Sequence, residues 1–161
     1  MTGAGWRRAK PLAAAAATAF FVALMGATIT DLGDWYQQLN KPSWQPPDWL
    51  FGPAWTLIFA LTALAAVEGW RNLSGNGRQL LLGLFSLNGF LNILWSLLFF
   101  RLQRPDWALI EVPLLWLSIL ILIVFLARHS KTATWLLLPY LLWVTFAAFL
   151  NLAVVRLNTP F

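Results

Sequence analysis

Phe51, Trp55 and Phe59 recur every four residues, directly behind the run Trp44-Gln-Pro-Pro-Asp-Trp-Leu. On a helix that spacing stacks three aromatic rings on one face. Asn88, Asn92, Trp95 and Phe99 form a second stripe, and Tyr140, Trp143, Ala147, Asn151 and Val154 a third. Aromatic faces and carboxamides together can hold a flat, largely apolar ligand by stacking and give it a few hydrogen bonds. The same amides can instead tie helices to one another inside a bilayer, and spacing alone leaves both readings open. The candidate ligand contacts are therefore Trp44, Phe51, Trp55, Phe59, Asn88, Asn92, Trp95, Tyr140, Trp143, Ala147 and Asn151.

Other chemistries are poorly supplied. The chain has no cysteine and a single histidine, His129, set in the polar run Arg-His-Ser-Lys. Thiolate sites, disulfides and cysteine nucleophiles are excluded, and a lone loop histidine reads as solvated. No metal-ligand spacing, Ser/His/Asp set, phosphate loop or pair of catalytic acids is present, so hydrolytic and metal-dependent catalysis have no residues to work with. Glu111 is the one carboxylate well inside an apolar run. A buried acid is costly, and Glu111 lies one turn beyond Trp107, so it is expected to snorkel to the interface.

These stripes must be carried by membrane helices. Of 161 residues, 60% are hydrophobic and 11% charged, against about 25% charged in soluble domains. Eleven tryptophans suit the headgroup zone, where an indole has one apolar edge and one wet N–H. Five runs reach the length of about 20 residues that a bilayer requires: Pro11–Thr30, Leu50–Trp70, Leu80–Phe100, Asp106–Ala127 and Thr134–Val155. The fold class is all-α, a polytopic five-span helix bundle forming one domain over residues 1–161. Three connections are short, Arg71–Gln79, Arg101–Pro105 and Arg128–Ala133, and force antiparallel neighbours. The fourth, Asp31–Trp49, is long enough to fold back as a lid, with a helical turn over Asp34–Leu39 capped by Asp31 or Asp34. Pro46 and Pro47 fit a helix start there.

The net charge of +5 belongs to loops and tails, which favours a membrane over nucleic acid as its partner. Arg7, Arg8, Lys10, Arg71, Arg78, Arg128 and Lys131 fall on one side. Lys41, Arg101, Arg104 and Arg156 fall on the other, offset by Asp31, Asp34, Asp48 and Asp106. The positive-inside rule then puts the amino terminus in the cytoplasm, and the lid and carboxyl terminus opposite. The first run resembles a secretory signal, but it continues too far without a polar cleavage region and reads as an uncleaved span. Ala15, Ala19, Ala23 and Ala27 make a smooth ridge on it, open to close approach by another helix of the same bundle or of a second copy.

Three motifs occur in order: Trp44-x-Pro-Pro-x-x-x-Phe51-x-x-x-Trp55, Asn92-x-x-Trp95-Ser-x-x-Phe99-Phe100 and Pro139-Tyr140-x-x-Trp143-x-x-x-Ala147-x-x-Leu150-Asn151. Together they resemble the tryptophan-rich sensory protein/translocator protein family (TspO/MBR, the peripheral-type benzodiazepine receptor group), over about residues 12–158. The resemblance implies a five-helix membrane bundle, commonly a homodimer. It also implies a pocket beneath the first loop for porphyrins such as protoporphyrin IX, for sterols and for benzodiazepine-type ligands. By motif position that pocket would be lined by Tyr36, Trp55, Phe59, Asn88, Asn92, Trp143 and Ala147. The porphyrin would be a ligand, with no cofactor required, and the role one of transport, sensing or stress regulation. The alternative that the resemblance brings is light-dependent porphyrin degradation, with Trp55 and Trp143 giving up electrons. Two departures stand out: Phe59 replaces a frequent tyrosine, and Leu152 replaces the tyrosine of the animal sterol-recognition pattern ahead of Arg156.

Overall fold

The computed structural model describes residues 3–161, with side chains described at 13, 15 and from 17 onward. The side chains of Arg7, Arg8 and Lys10, on which the orientation reading leans, lie outside the described residues. All described regular structure is helical: α1 (Gly3–Ile29), α2 (Asp34–Gln38), α3 (Phe51–Asn72), α4 (Gly75–Ser96), α5 (Pro105–Ala127) and α6 (Lys131–Asn158). A 3₁₀ turn, Asp48–Leu50, leads into α3, and a π-helical turn, Leu97–Arg101, ends α4. Four helical stretches are long and apolar enough to cross a bilayer, and α1 adds a shorter apolar one at Ala17–Ile29.

α5 is the most buried of the four long apolar helices. It is apolar all round, and Ala108, Val112, Leu115, Ile119, Leu122 and Leu126 are buried along it at alternating spacings of four and three. That rhythm keeps one seam facing its neighbours α4 and α6. The outer surface is equally apolar: Ile110 is 76% exposed and Leu142 69%. So large an exposed apolar surface calls for lipid, not water.

Two connections differ from the sequence reading. The link expected over Arg71–Gln79 is only Leu73 and Ser74, because α3 runs on to Asn72 and α4 begins at Gly75. Polar side chains complete those helix ends: Asn72 Nδ2 donates to the Glu68 carbonyl at 2.7 Å and Arg78 Nε to the Trp70 carbonyl at 3.0 Å. Gly75 takes φ +48°, a left-handed conformation that glycine adopts without strain. In the lid, α2 has no side-chain cap. The Asp31 carboxylate accepts instead from the Gly33 N–H at 2.9 Å, making a turn ahead of the helix.

The alanine ridge of α1 faces inward. Ala15 and Ala19 line one cavity and Ala23 and Ala27 another, both against α3 and α4. The small side chains leave room for these cavities.

Candidate functional site

The larger cavity, about 590 Å³, lies beneath the lid between α1, α3, α4 and α6. Its aromatic wall starts at Phe51, whose ring meets Trp143 at 5.8 Å edge-on. Trp55 stacks on Phe59 at 5.3 Å and presents an edge to Tyr140 at 6.1 Å and to Trp143 at 6.4 Å. Opposite, Trp95 stacks on Phe99 at 5.2 Å and meets Phe100 at 6.0 Å. Phe99 and Phe100, both within the π-helical turn Leu97–Arg101, line the cavity side by side.

The roof is a small polar cluster. Tyr36 is buried under the lid, its ring 5.8 Å from Phe100 and capped by Lys41 Nζ at 3.8 Å. Its hydroxyl donates to Asp48 Oδ1 at 3.0 Å, and Gln45 Nε2 donates to both oxygens, at 3.2 Å to Tyr36 and 3.0 Å to Asp48. Burial, and then the Asp48 charge, hold the phenol above its ordinary range. A second clasp fixes the lid from α6: the Asn40 N–H donates to Asn158 Oδ1, and Asn158 Nδ2 donates to the Asn40 carbonyl, both at 2.8 Å.

Of the residues singled out from sequence, Tyr36, Phe51, Trp55 and Phe59 line this cavity from the lid and α3. Asn92 and Trp95 line it from α4, and Trp143, Ala147 and Asn151 from α6. Tyr140 and Asn88 face a second, inner cavity, which also shares Phe59 and Asn92. Trp44 lines neither; it is half exposed and packs edge-on against Phe146 at 5.9 Å. The three amides have helix partners. Asn88 Nδ2 donates to Ser118 Oγ at 2.8 Å and Asn92 Nδ2 to Tyr140 Oη at 3.1 Å. Asn151, in the orientation that meets both groups, joins the Pro105 carbonyl at 3.0 Å and the Leu109 N–H at 3.1 Å. Asn92 and Asn151 thus bridge helices and also line the larger cavity.

Phe99, on the second stripe read from the sequence, lines this wall, and Gln45, Asp48, Ser96 and Phe100 join it without having been among the sequence candidates. Asp48 carried a signal in its place directly after Pro46-Pro47 at a helix start, yet in sequence it looked like one more surface charge. Glu111 corrects the snorkelling expectation: it is 5% exposed, and neither carboxylate oxygen has a hydrogen-bond partner among the described residues. It follows Ala108 and precedes Leu115 on the inward seam of α5, so it points into the bundle. No cluster of three or more metal-binding side chains occurs among the described residues.

Comparison with known proteins places these features in a wider group. The model of the TspO/MBR family matches residues 12–157. The tryptophan-rich protein TspO of Chlorobaculum tepidum is 43% identical over 143 residues, 85% of this chain and 89% of that protein. The protein of the same name from Archaeoglobus fulgidus is 42% identical over 131 residues, 81% and 84% of the two chains. The translocator protein of Homo sapiens is 34% identical over 126 residues, 77% and 75%.

Proposed function

This chain belongs to the TspO/MBR family, and we propose that it is a multi-pass membrane receptor that binds a tetrapyrrole beneath its lid. The observation that carries this reading is the cavity of about 590 Å³ walled by Trp55, Phe59, Trp95 and Trp143 and roofed by Tyr36. That volume sits within the roughly 300–1,000 Å³ of small-molecule sites. Stacked indoles suit a flat macrocycle, and the Gln45–Asp48 pair and Asn92 supply the few polar contacts it needs. The ligand is a porphyrin such as protoporphyrin IX or a haem relative; sterols and benzodiazepine-type molecules are further ligands of the same space. Its role is porphyrin transport, sensing or stress regulation, carried out by a five-span homodimer with its amino terminus in the cytoplasm.

The test is quenching of tryptophan fluorescence by protoporphyrin IX in the dark, on detergent-purified protein, with Trp143→Phe alongside. Saturable quenching, weakened about five-fold or more in the variant as one stacking face shrinks, is the expected outcome. Non-saturable quenching that is identical in both proteins would reduce the porphyrin to a passenger of the micelle.

A second reading, light-dependent porphyrin degradation, draws on one observation. Trp55, Trp143 and Tyr140 meet edge to face within 6.4 Å, a contiguous set of oxidisable rings. An indole at that wall can donate an electron to a photoexcited macrocycle. New absorbance bands under illumination, lost in Trp55→Phe while dark binding survives, would identify this chemistry.

A further inference from the structure

The inner cavity, about 340 Å³, runs along α3 from Phe59 to Trp70 and along α4 from Asn92 back to Leu81. At 1.5 Å per residue each stretch is about 16 Å long. That is close to half of the roughly 30 Å hydrocarbon core, the depth of one leaflet. Trp70 lies next to the end of α3 at Asn72, so this end of the cavity sits at the interface, and Phe59 and Asn92 lie deeper. The lining is mostly apolar. Thr18, Leu82 and Ser86, all exposed, put the opening between α1 and α4, toward lipid.

The interfacial end carries positive charge. The Arg78 guanidinium lies over the Trp70 ring, 4.9 Å from its centroid, and Nε donates to the Trp70 carbonyl at 3.0 Å. Its two terminal nitrogens make no hydrogen bond among the described residues. Arg71, the neighbour of Trp70, is exposed, and neither arginine pairs with a carboxylate among the described residues. Glu68, one turn back, accepts instead from Asn72 Nδ2 at 3.1 Å. An apolar slot of leaflet depth thus ends beside two uncompensated guanidiniums.

We propose that this chamber holds one acyl chain of an anionic phospholipid, with the lipid phosphate on Arg78 and Arg71 at the α3–α4 turn. The length argues for the chain, and the lateral opening for entry from the bilayer. The charge argues for the headgroup, because basic pockets at the ends of membrane helices attract anionic lipids. The site stands apart from the porphyrin reading, since Trp70 does not line the lid cavity.

The experiment is native mass spectrometry of the delipidated full chain, titrated with phosphatidylglycerol and phosphatidylcholine of the same acyl chains. The first phosphatidylglycerol should bind more tightly, with about five-fold of the preference lost in Arg78→Gln and kept in Arg78→Lys. Filling the slot with Ala63→Leu and Ala66→Leu should remove that first lipid, with thermal melting as the check on folding. Phosphatidylglycerol carrying an acyl-chain diazirine tests the wild-type chain directly, and saturable adducts on α3 and α4 between Phe59 and Leu81 are expected. Equal affinity for the two lipids, or an unchanged preference in Arg78→Gln, would overturn the headgroup site. Unsaturable adducts spread over outward residues such as Ile110 and Leu142 would overturn the slot.

Discussion

The Tyr36 hydroxyl donates to Asp48 and accepts from Gln45, so removing it breaks two hydrogen bonds at once. Tyr36→Phe leaves Gln45 and Asp48 paired with each other, which limits the loss to about 1–2 kcal/mol of lid closure. Porphyrin should then associate and dissociate faster, which stopped-flow quenching would read. Because the phenol's folded-state value is raised, its contribution is complete below the unfolded value near pH 10 and drains away only as pH climbs through the higher folded value. Lid protection measured by hydrogen exchange should therefore stay flat through neutral pH and fall only in strong alkali. A drop between pH 6 and 8 would mean that another group holds the roof. At this scale the sequence was informative about ring types and silent about partners. Trp55, Phe59 and Trp143 announce themselves by helical spacing, whereas the Tyr36–Gln45–Asp48 cluster lies in a loop, where no period dictates which side chains meet.

The lid as an element is held at two points, the Tyr36 cluster and the Asn158 clasp on the last turn of α6. The clasp joins positions 118 residues apart, a pairing that no local pattern could reveal. Asn158→Ala strands the Asn40 N–H and carbonyl, and its amide should exchange about ten-fold faster by mass spectrometry, as one or two lost hydrogen bonds imply. Unchanged exchange would show the clasp to be ornamental. The helices themselves were largely legible, because hydrophobic runs of bilayer length leave little choice. Their ends were not: Asn72 and Arg78 look like loop residues until their side chains are seen to complete the α3 terminus. The π turn was equally invisible, since Leu97–Arg101 reads as uninterrupted helix.

For the whole molecule, the charge asymmetry of its loops makes a prediction about which way it faces. The chain has no cysteine, so single substitutions give clean reporters. Ser43→Cys in the lid and Lys131→Cys at the start of α6 are both exposed positions. A membrane-impermeant maleimide applied outside intact cells should label the first and spare the second. The reverse pattern would invert the topology. Packing at this scale adds what composition could not: the alanines of α1 line the cavities. Phe59 and Asn92 belong to both cavities, with a consequence of its own. Space gained on one side of the phenyl ring is surrendered on the other, so the two compartments are rival claims on a single volume. Counting occupants in one while saturating the other would act as a ruler for the ring's position, and trimming Phe59 to alanine would turn two rooms into one.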